Sequence, residues 1–194
     1  MNKNIICFLG LTLSLNFAFA VTELKSIPSE SEVTFDAIGR PSMLRIKGKG
    51  TGVSASFVID AKNVSGTATF SLETLKTGID LRDEHMKEKY LQTKQFPEAV
   101  LTLVAVTLPP NFSSTKPLVG TSEFTGKLKL HGVVKDITGK FAILDENLKT
   151  EADFEIKLSD YNIDIPTYLG VKVADIVKVH ITFNMMDIVK NDVK

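Results

Sequence analysis

Apolar and polar residues alternate with a period of two through most of this chain, so each such stretch presents one dry face and one wet face. "SEVTFDA" puts Val33, Phe35 and Ala37 on one side, and "GTATFSLE" does the same with Ala68, Phe70 and Leu72. "FTGKLKLHG" aligns Phe124, Gly126, Leu128 and Leu130, and "EADFEIKL" aligns Ala152, Phe154, Ile156 and Leu158. The clearest case is "DIVKVHITFNMMD", where Val177, Val179, Ile181, Phe183 and Met185 oppose Lys178, His180, Thr182 and Asn184. One wet face per strand is the mark of antiparallel pairing. Turn-rich segments separate the strands: "NVSG", "PPNFSSTKP", "HGVVKD" and "DENLKT". About eight strands at this spacing predict an all-β domain, either a closed barrel or a sandwich.

Two stretches break the pattern. "AVLTLVAVTL", Ala99 to Leu108, is apolar on both phases, which calls for a cover over its outer face or an apolar cavity against its inner one. Just before it, "TGIDLRDEHMKEKYLQTKQFPEA" does not alternate and reads as a short helix near residues 83–92. Asp83 is placed to cap that helix, and carboxylates in its first turn suit the dipole. Met86 and Tyr90 then share one side at i, i+4, and Pro97 returns the chain to extended backbone. The helix is the natural cover for the doubly apolar strand.

The opening "MNKNIICFLGLTLSLNFAFA" combines Lys3, an apolar core from Ile5 to Phe17 and Ala18-Phe19-Ala20. This is the layout of a cleavable secretory signal, residues 1–20, with a single domain over 21–194 and no integral membrane span once the leader is removed. Removal takes away Cys7, the one cysteine of the chain, so the mature domain has neither disulfides nor thiolate metal sites. It also takes away Lys3, leaving 22 basic side chains against 23 acidic, a net charge of −1. Nothing in that balance recommends nucleic acid or an anionic membrane surface as a partner. The aromatic residues are mostly phenylalanine, 12 of them with no tryptophan, which favours a dry interior without polar handles.

Candidate chemistry is sparse. In "DLRDE", Arg82 is the residue suited to an anionic head group, with Asp83 beside it at the rim. The competing reading pairs Arg82 with Asp80 or Asp83 as a structural corner. The cluster lacks the ligand spacing and the glycine of a calcium loop. His85, His131 and His180 fall on a helix, a turn and a wet strand phase, without the short spacing of a metal site, and no metal or other cofactor is expected. There is no nucleophile elbow and no activated serine context, so an enzyme is not expected.

Three of these stretches together resemble the YceI-like family of exported, lipocalin-like barrels named for polyisoprenoid binding. They are "TGIDLRDEHMKEKYLQTKQFPEAVLTLVAV", the hairpin "GKLKLHGVVKDITGKFAI" and the closing "YNIDIPTYLGVKVADIVKVHITF". The resemblance runs from about Val64 to Phe183, while the N-terminal "IGRPSMLRIKGKGTGVSASFVID" departs from the family's usual pattern. It implies an antiparallel lipocalin-like β-barrel in the periplasm holding a long hydrophobic molecule: an isoprenoid, a quinone tail or a fatty amide. It also implies a homodimer in some members. The lining expected from the dry phases and the helix is Phe70, Met86, Tyr90, Leu101, Leu103, Phe124, Phe154, Val179, Ile181 and Phe183, taken as a set. The alternatives are an envelope interaction module with a filled barrel and no ligand, and an enzyme acting on a lipid inside the barrel.

Overall fold

A computed structural model describes residues 22–40, 45–60, 62–109, 120–144, 148–168, 171–183 and 186–190. The expected leader, most of the "PPNFSSTKP" loop, Met185 and the last four residues lie outside these. The strands are β1 (Thr22–Ser26), β2 (Ser31–Arg40), β3 (Arg45–Thr51), β4 (Ser54–Asp60), β5 (Asn63–Ser71), β6 (Glu98–Thr107), β7 (Gly120–Leu130), β8 (Val133–Ile143), β9 (Thr150–Lys157), β10 (Thr167–Tyr168), β11 (Val171–Phe183) and β12 (Met186–Lys190). All pairings are antiparallel, in the order β12-β1-β4-β5-β6-β7-β8-β9-β11-β2-β3, with β10 beside β11. The fold class is the expected one. Twelve strands are described because the N-terminal third supplies β1, β3 and β4 beside the expected β2, and the short β10 and β12 are added toward the C-terminus.

One hairpin curls this sheet into a barrel. Its two long arms are β1 followed by β2, and β3 followed by β4, and both arms bend at the same level, at Ile27–Glu30 and at Gly52–Val53. Beyond the bend the strands belong to opposite ends of the sheet order: β4 pairs with β5 and β2 with β11. The corner is pinned by Ser26, whose Oγ donates to the Val53 carbonyl at 2.8 Å and accepts from the Ala55 N–H at 2.7 Å. Ser31 and Val53 are each 1% exposed there, and the Gly52 N–H reaches the Ser31 carbonyl at 3.3 Å. The outer edge of β3 is closed by reciprocal 2.8 Å bonds between the Lys49 and Lys76 backbones.

The doubly apolar strand β6 resolves differently from the expectation. Its pairing with β5 slips by one residue between Gly66 opposite Leu103 and Val64 opposite Val106, a β-bulge. The bulge swaps the phase: Leu101 points inward before it, Val106 and Leu108 after it, and all three are buried. Val104, on the bulge, is 69% exposed, so no helix covers the outer face.

The helical segment also starts earlier than expected. It runs as α1 (Asp80–His85) and one wider π turn (Met86–Tyr90), and its N-cap is Ile79 with no side-chain cap bond. Asp83 lies within the helix and reaches back to Thr77, accepting from its N–H at 2.7 Å and from its hydroxyl.

Glycine and phenylalanine are matched across strands. Phe35 faces Gly48 on β3 and Phe124 faces Gly139 on β8, and in each pair the ring occupies the space a glycine Cβ would need. At Gly66 the backbone itself is the constraint. Its φ is +142° beside the bulge, and a Cβ would collide with the Ser56 carbonyl oxygen. Gly66→Ala is therefore expected to cost roughly 3 kcal/mol, strain and steric collision together, by urea denaturation. Gly52→Ala, at φ +93° with open space around it, should cost only about 1–2 kcal/mol. Equal losses would show that the close approach at Gly66 carries no weight.

Candidate binding cavity

The inward residues do not fill the barrel. A cavity of about 220 Å³ occupies the end beneath the helical segment, and a second of about 90 Å³ occupies the other end. Leu101 and Ile181 line both, so they form a waist between two chambers. Phe154 lines the larger chamber and Phe124 the smaller, and their rings meet edge to face at 6.2 Å across the same level. Aromatic pairs prefer this arrangement to face-to-face stacking.

The walls are almost wholly apolar. In the larger chamber the polar side chains are Thr77, Arg82, His85, Tyr90 and Thr167, and no carboxylate lines it. In the smaller chamber Thr150 alone is polar. The helical segment forms the lid. Its π turn, closed by the Leu91 N–H to the Met86 carbonyl at 2.9 Å, puts Met86, Tyr90 and Leu91 on one side, and all three line the chamber.

Of the lining expected from sequence, Phe70, Met86, Tyr90, Leu101, Phe154, Val179 and Ile181 face the larger chamber. Leu103, Phe124 and Phe183 face the smaller one, with Leu101 and Ile181 shared. Arg82 lies on the larger chamber's wall, whereas Asp83 lines neither chamber because Thr77 engages its carboxylate. Sequence reading missed His85 and Leu91 as wall residues, and also Phe35 and Ile46 from the divergent N-terminal third. The alternation in "SEVTFDA" already put Phe35 on a dry face; nothing comparable marked Ile46 among the glycines and lysines of β3.

The other histidines lie elsewhere. His131 turns the β7–β8 hairpin with Gly132, both at positive φ, and packs against Phe96 with ring centroids 4.4 Å apart. His180 is on the outer wall, its Nδ1 2.8 Å from Asp153 and its Nε2 3.3 Å from the Thr182 hydroxyl. That order of groups resembles a hydrolase triad, but it sits on paired strands β9 and β11, whose backbone N–H groups are committed to the ladder and offer no oxyanion hole. Among the described residues no three His, Cys, Asp or Glu side chains gather as a metal site, and no helix is long and apolar enough to cross a membrane.

An antiparallel sheet curled into a barrel around a dry, lidded interior has room for an apolar ligand. The chain belongs to the YceI-like family, whose domain it matches over residues 25–185, so the match extends upstream of the motifs that first carried the resemblance. Among solved structures it is similar to a polyisoprenoid binding domain from Saccharophagus degradans implicated in plant cell wall breakdown. Identity there is 14%, with a TM-score of 0.63, covering 90% of this chain and 100% of that one. BcnA of Burkholderia cenocepacia superposes with a TM-score of 0.63 at 18% identity, covering 81% and 97% of the two chains. The YCEI protein of Campylobacter jejuni does so at 0.56 and 21%, covering 77% and 88%. No curated protein matches the chain.

The lid is tethered at its far end. Glu73 accepts from the buried Thr93 hydroxyl at 2.8 Å and pairs with Lys87 at 3.4 Å. The Thr93 bond holds the Glu73 carboxyl below its usual 4.5, and Lys87 adds to this. The folded-state pKa is thus below the unfolded one, so the tether contributes above about pH 4.5 and is lost as pH falls through the depressed value. Amide hydrogen exchange across Lys87–Thr93 is expected to lose protection below that pH relative to the strands. Glu73→Gln, which cannot titrate, should flatten the dependence; an unchanged profile in the variant would assign the effect to another group.

Proposed function

We propose that this protein is an exported, non-enzymatic carrier that holds a long-chain hydrophobic molecule of the isoprenoid, quinone or fatty amide kind inside its barrel, within the periplasm. The observation that carries this reading is the pair of apolar chambers in line, with polar groups gathered almost entirely at the lidded end. Membership of the family and the naming of the Saccharophagus relative for polyisoprenoid binding support it. The signal-like residues 1–20 support the periplasmic address.

Burial of the chain supplies the driving force. At about 25 cal/mol per Å², roughly 400 Å² of ligand surface gives a gross ~10 kcal/mol before the costs of ordering. The chambers are small beside the ~300–1,000 Å³ usual for drug-sized ligands, so a long chain needs the waist to part and the lid to lift. A filled barrel, the alternative, is at odds with the space above and below Leu101 and Ile181.

Native mass spectrometry of the protein purified without detergent from its own envelope should show a stoichiometric lipid. An empty protein that also refuses farnesol and ubiquinone would overturn the reading. Two variants test the geometry. Ala68→Leu extends a buried wall residue into the larger chamber and is expected to raise stability by about 1 kcal/mol while weakening ligand binding at least tenfold. Leu101→Ala merges the chambers, and tail-length preference should shift to longer chains.

A further inference from the structure

We infer that the bound molecule is a single-chain amphiphile with an anionic head, a carboxylate or a phosphate monoester, held by Arg82 at the lidded end. This rests on the carrier reading above and goes further by naming the chemistry of the head group. The larger chamber has one permanently charged side chain on its wall, and that side chain is a cation.

Arg82 is half-buried and fixed in place. Its Nε donates to the Thr77 hydroxyl at 2.8 Å and its Nη2 donates to the Thr77 carbonyl at 3.0 Å. The Thr77 hydroxyl in turn donates to Asp83, so each hydrogen has one acceptor and the guanidinium cannot swing freely. A guanidinium carries five N–H donors, and these contacts use two of them. Among the described residues no carboxylate comes within 4 Å of Arg82, although its sequence neighbours include Asp80, Asp83 and Glu84. Asp83 reaches the guanidinium only through the bridging Thr77 hydroxyl and makes no direct pair with it.

Three donors therefore remain on a side chain that lines the larger chamber, with no anion of the described residues in direct contact with it. A quinone oxygen or an amide can accept one or two of these bonds but brings no opposite charge into direct contact with the guanidinium. A carboxylate or phosphate accepts two parallel bonds and neutralises it, the pairing for which arginine is best shaped. His85 and Thr167 stand on the same wall as further partners for oxygen. Beyond the waist Thr150 is the one polar wall residue, so the tail end has nothing that would hold a second head group.

The test is displacement of a neutral fluorescent chain probe, N-phenyl-1-naphthylamine, by matched pairs: farnesyl phosphate against farnesol, and palmitate against palmitamide. In the wild type the anionic member of each pair is expected to bind at least tenfold more tightly. Arg82→Gln should bring it to the level of the neutral member. Inorganic phosphate and acetate alone should not displace the probe. Equal binding of both members by the wild type would remove the anionic head group and leave the carrier reading standing, and this comparison needs no variant to fold. Failure of every chain to displace the probe would bring down the carrier reading and this inference together. Tight binding of inorganic phosphate without a tail would mean an anion site that is not a lipid site, and would also overturn it.

Discussion

The barrel depends on one bend, and one hydroxyl pins it. Ser26 bonds across the bend of the long N-terminal hairpin, donating to Val53 and accepting from Ala55, at the level where both arms of the hairpin leave one part of the sheet and join another. Without a bend there, β1–β4 and β2–β3 would continue as a straight ribbon and the sheet would keep two open ends. With it, the ribbon joins β5 on one side to β11 on the other, and the sheet curls around an interior. The polar pinning suits the place. A bend interrupts the ladder, and the part-buried Val53 carbonyl and Ala55 N–H find their partner in this hydroxyl.

Enclosure alone would give a packed core. Space survives because the large inward side chains are phenylalanines seated over glycines on the next strand, so a ring lies against backbone where two side chains would otherwise meet. The rings then stand as walls. The lid completes the volume from above, and its wider turn is what turns three successive apolar contacts to the same side.

Much of this was legible in the chain. Strict alternation located the dry faces of β2, β5, β7, β9 and β11, and the residues of "FTGKLKLHG" and "DIVKVHITF" that it marked are buried with few exceptions. It could not reveal phase changes. The bulge in β6 depends on how Ser65 and Gly66 of the partner strand meet Val104 and Ala105, which is a property of the pair rather than of either strand. The waist was equally hidden, since Leu101 and Ile181 are ordinary dry-face residues until the barrel brings them to one level. Asp83 does not cap the helix as its place in the sequence suggested, because it lies within the first turn and its Oδ1 is held by Thr77.

The order of strands has a bearing on how the chain must be made. β1 pairs with β12 and β2 with β11, so the first segments to emerge during synthesis need the last ones as neighbours. Until β11 exists, β2 presents an unsatisfied edge, and the ring cannot close around anything. Contacts so distant along the chain make for slow folding, on the order of milliseconds to seconds. A polypeptide arranged in this way can form its middle hairpins early, while its interior comes into being only once the final strands are in place.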